Sequence, residues 1–303
     1  MIRFALTEEK NSILSMWNKM FSFDDGGFTE HYFRYIYKPE NCLVKVVDGK
    51  IVSSLQRNPH VMMLNGKRIS CHLIAGVVTD MDYRKRGYMS ELMNTVIDEL
   101  SHKDLVTILQ AYDPELYRKY GFEMIYYRNK YEFERNDFPK YSTEGVSKKV
   151  DYEQMVRVYK DFTKAFNGYL LRDVDYYKML DLQVEQENGS IYAYYNGETL
   201  DGYMVCYYSS NGLEVDEIIY RNGEALAKLL SYACKQRPSV VLYVSEYENL
   251  KKLLPNAKVE KVNNMMVRIN DEKLFEDCFG INARDVNKAF RHENKPLFIK
   301  EVA

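Results

Sequence analysis

No apolar run in this 303-residue sequence is long enough to cross a bilayer. The longest, near Leu73 to Val78, falls far short of the roughly 20 residues that a spanning helix needs. A basic excess is missing as well. The formal net charge is -2 and no Lys/Arg-rich run stands out, which argues against a protein built to coat nucleic acid or an anionic membrane. The five cysteines (Cys42, Cys71, Cys206, Cys234 and Cys278) are odd in number and form no Cys-x-x-Cys pair. Reduced, mostly buried thiols of a cytoplasmic protein are therefore expected, not a disulfide framework or a zinc knuckle. The amino terminus turns acidic at once and has no apolar signal core. His31, His60, His72, His102 and His292 show no ligand spacing, so no metal is expected.

What remains is a globular composition, 46% hydrophobic and 28% charged, in a chain long enough for two domains. The first half alternates helix and strand signals. Ile13, Leu14, Trp17, Met20 and Phe21 recur at helical spacing. Two hairpins follow, with Asp48-Gly49 and Asn65-Gly66 as their turns. Residues 69–79 read as a strand buried on both faces near its end. Met89, Leu92, Met93, Val96, Ile97 and Leu100 then form the apolar stripe of a helix. A strand at 105–110, a short helix opened by Asp113-Pro114-Glu115 and a strand from Phe122 complete the half. The second half repeats this plan: a helix through Met155 to Phe166, strands at 191–195, 203–208 and 214–220, a helix with Leu226, Leu229, Leu230 and Ala233, and a strand at 240–244. The expected fold class is α/β with a mixed sheet, in two tandem modules, 1–145 and 146–264, plus a short extension, 265–303.

The chemistry concentrates at one junction. A buried strand ends at Val77-Val78-Thr79, the turn reads Asp80-Met81-Asp82-Tyr83-Arg84-Lys85-Arg86-Gly87, and a helix opens with Tyr88 and Met89. A helix start offers unpaired N–H groups and positive partial charge, a glycine lets backbone approach a phosphate, and three cations stand beside it. The same pattern also describes a plain solvated helix start. In the second half the equivalent turn, Tyr220-Arg221-Asn222-Gly223-Glu224, keeps one arginine and adds an acid. About thirty residues after the first turn comes Tyr117-Arg118-Lys119-Tyr120-Gly121-Phe122.

Arg84 and Gly87 resemble motif A of the GCN5-related N-acetyltransferase (GNAT) superfamily, Gln/Arg-x-x-Gly-x-Gly/Ala, with Met89 in place of the last small residue. Tyr117 to Phe122 looks like the superfamily's motif B ending. The tandem plan is similar to the bacterial enhanced-intracellular-survival (Eis) acetyltransferases. These carry an active first module, a degenerate second one and a sterol-carrier-like third domain, of which 265–303 has room only for a remnant. The resemblance spans nearly the whole chain and is sharpest at residues 76–93 and 110–122.

That resemblance implies direct acetyl transfer from acetyl-CoA to the primary amine of a small molecule or peptide. Val77, Val78 and Thr79 would pair with the pantetheine arm. The amides of Arg84, Lys85, Arg86, Gly87, Tyr88 and Met89 would hold the pyrophosphate. Tyr117 would be the general acid for the leaving thiolate, against the alternative of a packing tyrosine; Tyr120 reads as packing. The α-carboxylate of Ala303, at the end of a tail that reads as a strand, would serve as base or lie frayed. Phe23, Asp24, Asp25 and Phe28 are either the acceptor wall or a solvated loop. A non-catalytic acyl-CoA-binding protein of the same fold is the competing reading. The Eis relatives' hexameric habit leaves a homo-oligomer open.

Overall fold

The structure is a computed structural model and describes residues 1–21, 26–210, 212–291 and 295–301. The chain divides into two compact units. Unit 1 holds residues 1–125, 264–294 and 301–303; unit 2 holds 126–263 and 295–300.

Unit 1 begins with β1 (Ile2–Phe4), α1 (Lys10–Met20) and α2 (Phe28–His31). The strands β2 (Cys42–Val47), β3 (Lys50–Leu64) and β4 (Lys67–Thr79) follow, antiparallel in that order. Both hairpin turns form at the expected dipeptides: Asp48 and Asn65 sit at φ 49° and 45°, and Gly49 and Gly66 at 76° and 74°. Next come α3 (Tyr88–Ser101), β5 (Val106–Leu109) and α4 (Glu115–Arg118). β5 runs parallel to β4, as a connection through a helix requires. Around α1 and α2, Trp17, Tyr32 and Phe33 form an aromatic core that closes on β2 and on Val78 of β4. α3 packs on β2, β3 and β4, burying Leu92, Met93, Val96 and Leu100 of the expected stripe.

Strand β6 (Glu123–Glu134) leaves unit 1 after Ile125. Unit 2 continues with β7 (Val146–Ser147), α5 (Tyr152–Thr163), β8 (Tyr169–Leu170) and α6 (Val174–Gln186). It is completed by β9 (Gly189–Asn196), β10 (Thr199–Tyr208), β11 (Gly212–Tyr220), α7 (Gly223–Gln236) and β12 (Ser239–Ser245). Its sheet repeats that of unit 1, with β9, β10 and β11 antiparallel and β12 parallel to β11. One core cluster gathers under α7 around Leu229 and Leu230; another joins α5 and α6 around Met155, Tyr159 and Tyr177.

The last strand of each unit's ladder comes from the other half of the sequence. β6 pairs antiparallel with β12 over Arg128–Glu134. β13 (Lys258–Ile269) enters unit 1 at Asn264 and pairs antiparallel with β5 over Met266–Ile269. The helices α8 (Glu272–Phe279) and α9 (Val286–Phe290) belong to unit 1. The tail, read as a strand from sequence, makes a single bridge among the described residues, Leu297 to Asn167. Cys42, Cys71, Cys206 and Cys234 are buried, Cys278 is half-buried, and all five are free thiols. No helix among the described residues is long and apolar enough to cross a membrane.

Candidate active site

The parallel pairing of β4 with β5 runs from Cys71–Val106 to Ile74–Leu109 and stops there, while β4 continues to Thr79 paired with β3. Two residues on, the β3–β4 ladder shifts register, so that Gly76 and Val77 face the single Leu55. Gly76 has φ 54°, and the ring of Trp17 lies where a side chain would start: a Cβ would meet Trp17 Cζ2 at 1.7 Å. Past the bulge, Ser53 Oγ donates to the Val78 carbonyl at 2.6 Å and lies 2.8 Å from Thr79 Oγ1. The end of β4 is thus held from the β3 side, and among the described residues no strand pairs with its other edge past Ile74. Val77 and Thr79 are half-buried and Val78 is buried.

The turn after Thr79 is organised by Asp80, whose carboxylate accepts the Asp82 amide at 3.1 Å and pairs with Lys50 Nζ at 3.0 Å. Lys85 and Gly87 both take positive φ, 61° and 84°. Gly87 caps α3, and the first backbone bond of the helix runs from Glu91 N to Gly87 O at 3.0 Å. The amides before Glu91 therefore lie ahead of the helical ladder. A Cβ on Gly87 would meet nothing within 4 Å, so the space over the turn is open. The cations around it are tethered by backbone and rings. Arg84 Nε donates to the Thr79 carbonyl at 3.4 Å, and Arg86 donates to the Asp82 carbonyl at 3.0 Å and lies over the Tyr83 ring. Lys45 lies 5.3 Å from the Tyr88 ring centre and pairs with Glu91. Arg84, Lys85 and Arg86 are exposed; Tyr88 and Met89 are half-buried. The turn thus combines a helix start, a left-handed glycine and exposed cations, the elements that favour an anion.

α4 opens as its sequence dictates, with Asp113 Oδ1 accepting the Glu115 amide at 3.1 Å. It carries Tyr117, half-buried, with its ring edge-on to Phe122 at 6.5 Å. Burial pushes the Tyr117 phenol up to about 12, with Tyr120 and Asp113 adding to the effect. The hydroxyl keeps its proton at neutral pH. Tyr120, expected only to pack, donates to Ser90 Oγ at 2.9 Å, and Lys119 Nζ reaches the same oxygen at 3.2 Å. The helix of Tyr117 is thereby tied to the first turn of α3.

Phe28 is half-buried against Tyr32, with ring centres 5.9 Å apart, in the α1–α2 core. Phe23, Asp24, Asp25 and Ala303 lie outside the described residues. Sequence reasoning missed Ser53, Ser90 and the Gly76–Trp17 fit. Of these only Gly76 left a signal, since a glycine inside a strand often marks a bulge.

Two family models described as acetyltransferase (GNAT) domain match the chain, one over residues 1–125 and the other over 168–269. The chain belongs to the GNAT acetyltransferase family. It carries two such domains in tandem, and the GNAT fold generally binds acetyl-CoA or another acyl-CoA. The protein is similar in fold to a conserved protein of Enterococcus faecalis V583 described as a probable N-acyltransferase (18% identity, TM-score 0.78, 91% of this chain and 74% of that one). It is also similar to a GCN5-related N-acetyltransferase from Anabaena variabilis ATCC 29413 (19%, 0.76, 89% and 73%) and to Eis1 from Mycobacterium abscessus (14%, 0.70, 91% and 75%). No curated protein has a matching sequence. Within this GNAT frame, the β4–β5 gap, the Gly87 turn and Tyr117 all belong to the first domain.

Proposed function

We propose that the chain is an acetyl-CoA-dependent N-acetyltransferase. In this reading an acetyl group moves directly to the primary amine of a small molecule, such as an aminoglycoside or a polyamine, or to a lysine or peptide amine. The observation that carries it is the Arg84–Met89 turn, with Gly87 at φ 84° at the head of a 14-residue helix, beside a β4 edge that β5 leaves unpaired.

Acetyl-CoA, when bound, supplies the acetyl group as a thioester. The residues divide the remaining work. The free edge at Val77 and Thr79 offers backbone groups to an extended amide-bearing arm, as a strand would to its neighbour. The amides from Arg84 to Met89, with the cations of the turn, hold a pyrophosphate. Such fixed placement supplies much of a transferase's rate. Tyr117 holds a proton that its raised pKa keeps in place until negative charge develops on sulfur. A protonated amine, with an ordinary pKa of about 10.4, must lose a proton before it attacks. The Ala303 α-carboxylate is the proposed acceptor of that proton, and Phe28 with Phe23, Asp24 and Asp25 the proposed acceptor wall. A reducing cytoplasm suits five unpaired thiols.

The test is thiol release from acetyl-CoA against an amine panel, with Tyr117→Phe and a chain lacking 301–303 alongside. Amine-dependent turnover that drops in both variants supports the reading. Binding of acetyl-CoA with no turnover for any amine would favour the non-catalytic acyl-CoA-binding alternative.

A further inference from the structure

Unit 2 repeats the strand divergence of unit 1, with a bulge just past the end of the parallel pairing. The parallel β11–β12 pairing covers Gly212–Ser239 to Val215–Leu242 and ends. The β10–β11 register then shifts, leaving Asp216 as the extra residue of a bulge. In unit 1 the corresponding bulge lies at Gly76 and Val77, beside the groove that the function proposed above assigns to acyl-CoA.

The phosphate end of such a groove is closed in unit 2. Only residues 221–222 separate β11 from α7, where residues 80–87 separate β4 from α3. The head of α7 is capped from within, with Asn222 Oδ1 accepting the Ala225 amide at 2.9 Å. Arg221, the one cation kept there, is committed to Asp161 at 2.9 Å and to the Leu200 carbonyl at 2.8 Å.

The arm end holds protein instead. Leu297, Phe298 and Ile299 of the tail are 2%, 8% and 3% exposed. The Asn167 amide donates to the Pro296 carbonyl at 2.8 Å, and the Phe298 amide donates back to the Asn167 carbonyl at 3.2 Å. Ser245, the last residue of β12, donates its hydroxyl to the Leu297 carbonyl at 3.2 Å. Phe298 packs against Phe162 of α5 and Phe166 just beyond it, with ring centres 5.4 and 5.3 Å away. Lys300 ends the segment: its carbonyl accepts from Arg172 at 2.8 Å and its Nζ pairs with Asp216 at 2.7 Å. Arg172 is itself fixed by two bonds to buried Glu217, at 2.9 and 2.8 Å. A carboxylate at a bulge beside a groove is costly to bury without partners, and here Arg128 and a tail lysine supply them.

We propose that the cleft where β11 parts from β12 is a peptide site whose ligand is the chain's own segment Pro296–Lys300, an apolar stretch ending in a cation, and that this segment excludes acyl-CoA from unit 2. Asp216 and Arg172 are its positioning residues.

The test uses the full-length chain with Phe298→Ala and Lys300→Met. Hydrogen exchange across residues 296–300 reads the anchor, and a thermal melt checks that each variant is folded. The proposal expects these amides to exchange at least about tenfold faster in both variants, or about 1.4 kcal/mol of local opening, with unit 2 strands unchanged. Calorimetry of the wild-type chain with acetyl-CoA gives the second readout. One site per chain, or none, agrees with a filled unit 2; none would contradict only the transfer reaction proposed above. Unchanged exchange in both folded variants, or two acetyl-CoA sites per chain, would overturn the proposal.

Discussion

The hydroxyl of Tyr120 rests 2.9 Å from Ser90 Oγ, joining the short helix that carries Tyr117 to the first turn of the helix that Gly87 caps. Two sequence motifs about thirty residues apart are thereby one local structure. Removing the link by Tyr120→Phe should leave the fold intact, since one half-buried hydroxyl contact contributes about 1 kcal/mol. It should loosen the placement of Tyr117 and lower kcat several-fold with a smaller effect on KM. Steady-state kinetics and a thermal melt of the variant check this.

Tyr117→Phe should lower kcat by about 100-fold with little change in KM for acetyl-CoA. Its hydroxyl makes no hydrogen bond among the described residues, so the melting temperature should stay within a degree or two. Because burial raises this phenol to about 12, the wild-type kcat should show no falling limb from Tyr117 as pH rises from 7 to 10. A pH–rate profile of both forms tests the point.

Gly87→Ala places a side chain at φ 84°. Nothing lies within 4 Å of the added methyl, so packing is spared and the cost is backbone strain of about 1 kcal/mol. The strain relaxes by turning the amides of the loop. The KM for acetyl-CoA should rise about tenfold, with a melt only slightly lowered.

Gly76→Ala fails for a different reason. Its methyl would begin 1.7 Å from Trp17, a ring 1% exposed and stacked on Tyr32 with centres 4.9 Å apart. Neither the ring nor the bulge can yield cheaply, and a loss of about 3 kcal/mol or more is expected. Denaturant unfolding measures it.

Asp216 carries a pH signature. Burial alone would raise its carboxyl, but Lys300 and Arg128 outweigh burial and hold it well below the ordinary value. A group with a depressed folded pKa contributes stability above its unfolded pKa, near 3.9, and that contribution is lost as pH falls through the folded value. Asp216→Asn should therefore be about 3 kcal/mol less stable than wild type at pH 7. The gap should narrow steadily below pH 4. Urea unfolding of both forms at pH 7, 5 and 3.5 shows whether it does.

Much of this architecture was legible in the sequence because it rests on local rules. The Asp-Gly and Asn-Gly hairpins, the apolar stripe from Met89 to Leu100 and the glycine before Tyr88 each follow from turn chemistry or a 3.6-residue period. α6 was not legible: it buries only Tyr177, Gln183 and Val184, too few to mark a face. The pairing of β6 with β12 and of β13 with β5 was hidden as well, because alternation tells which side of a strand is buried and not which strand lies beside it. The Trp17–Gly76 fit and the Lys300–Asp216 pair join residues far apart in sequence. No spacing rule connects them. The glycine and the apolar tail were visible, and their partners were not.

The most direct measurement is calorimetric titration of acetyl-CoA onto the wild-type chain and onto Gly87→Glu, which sets a negative charge over the open turn. The account predicts one site in the wild type and an affinity at least tenfold weaker in a variant that still melts as a folded protein. Equal binding by both proteins, or no binding by the wild type, would contradict the assignment of the anion site to the head of α3.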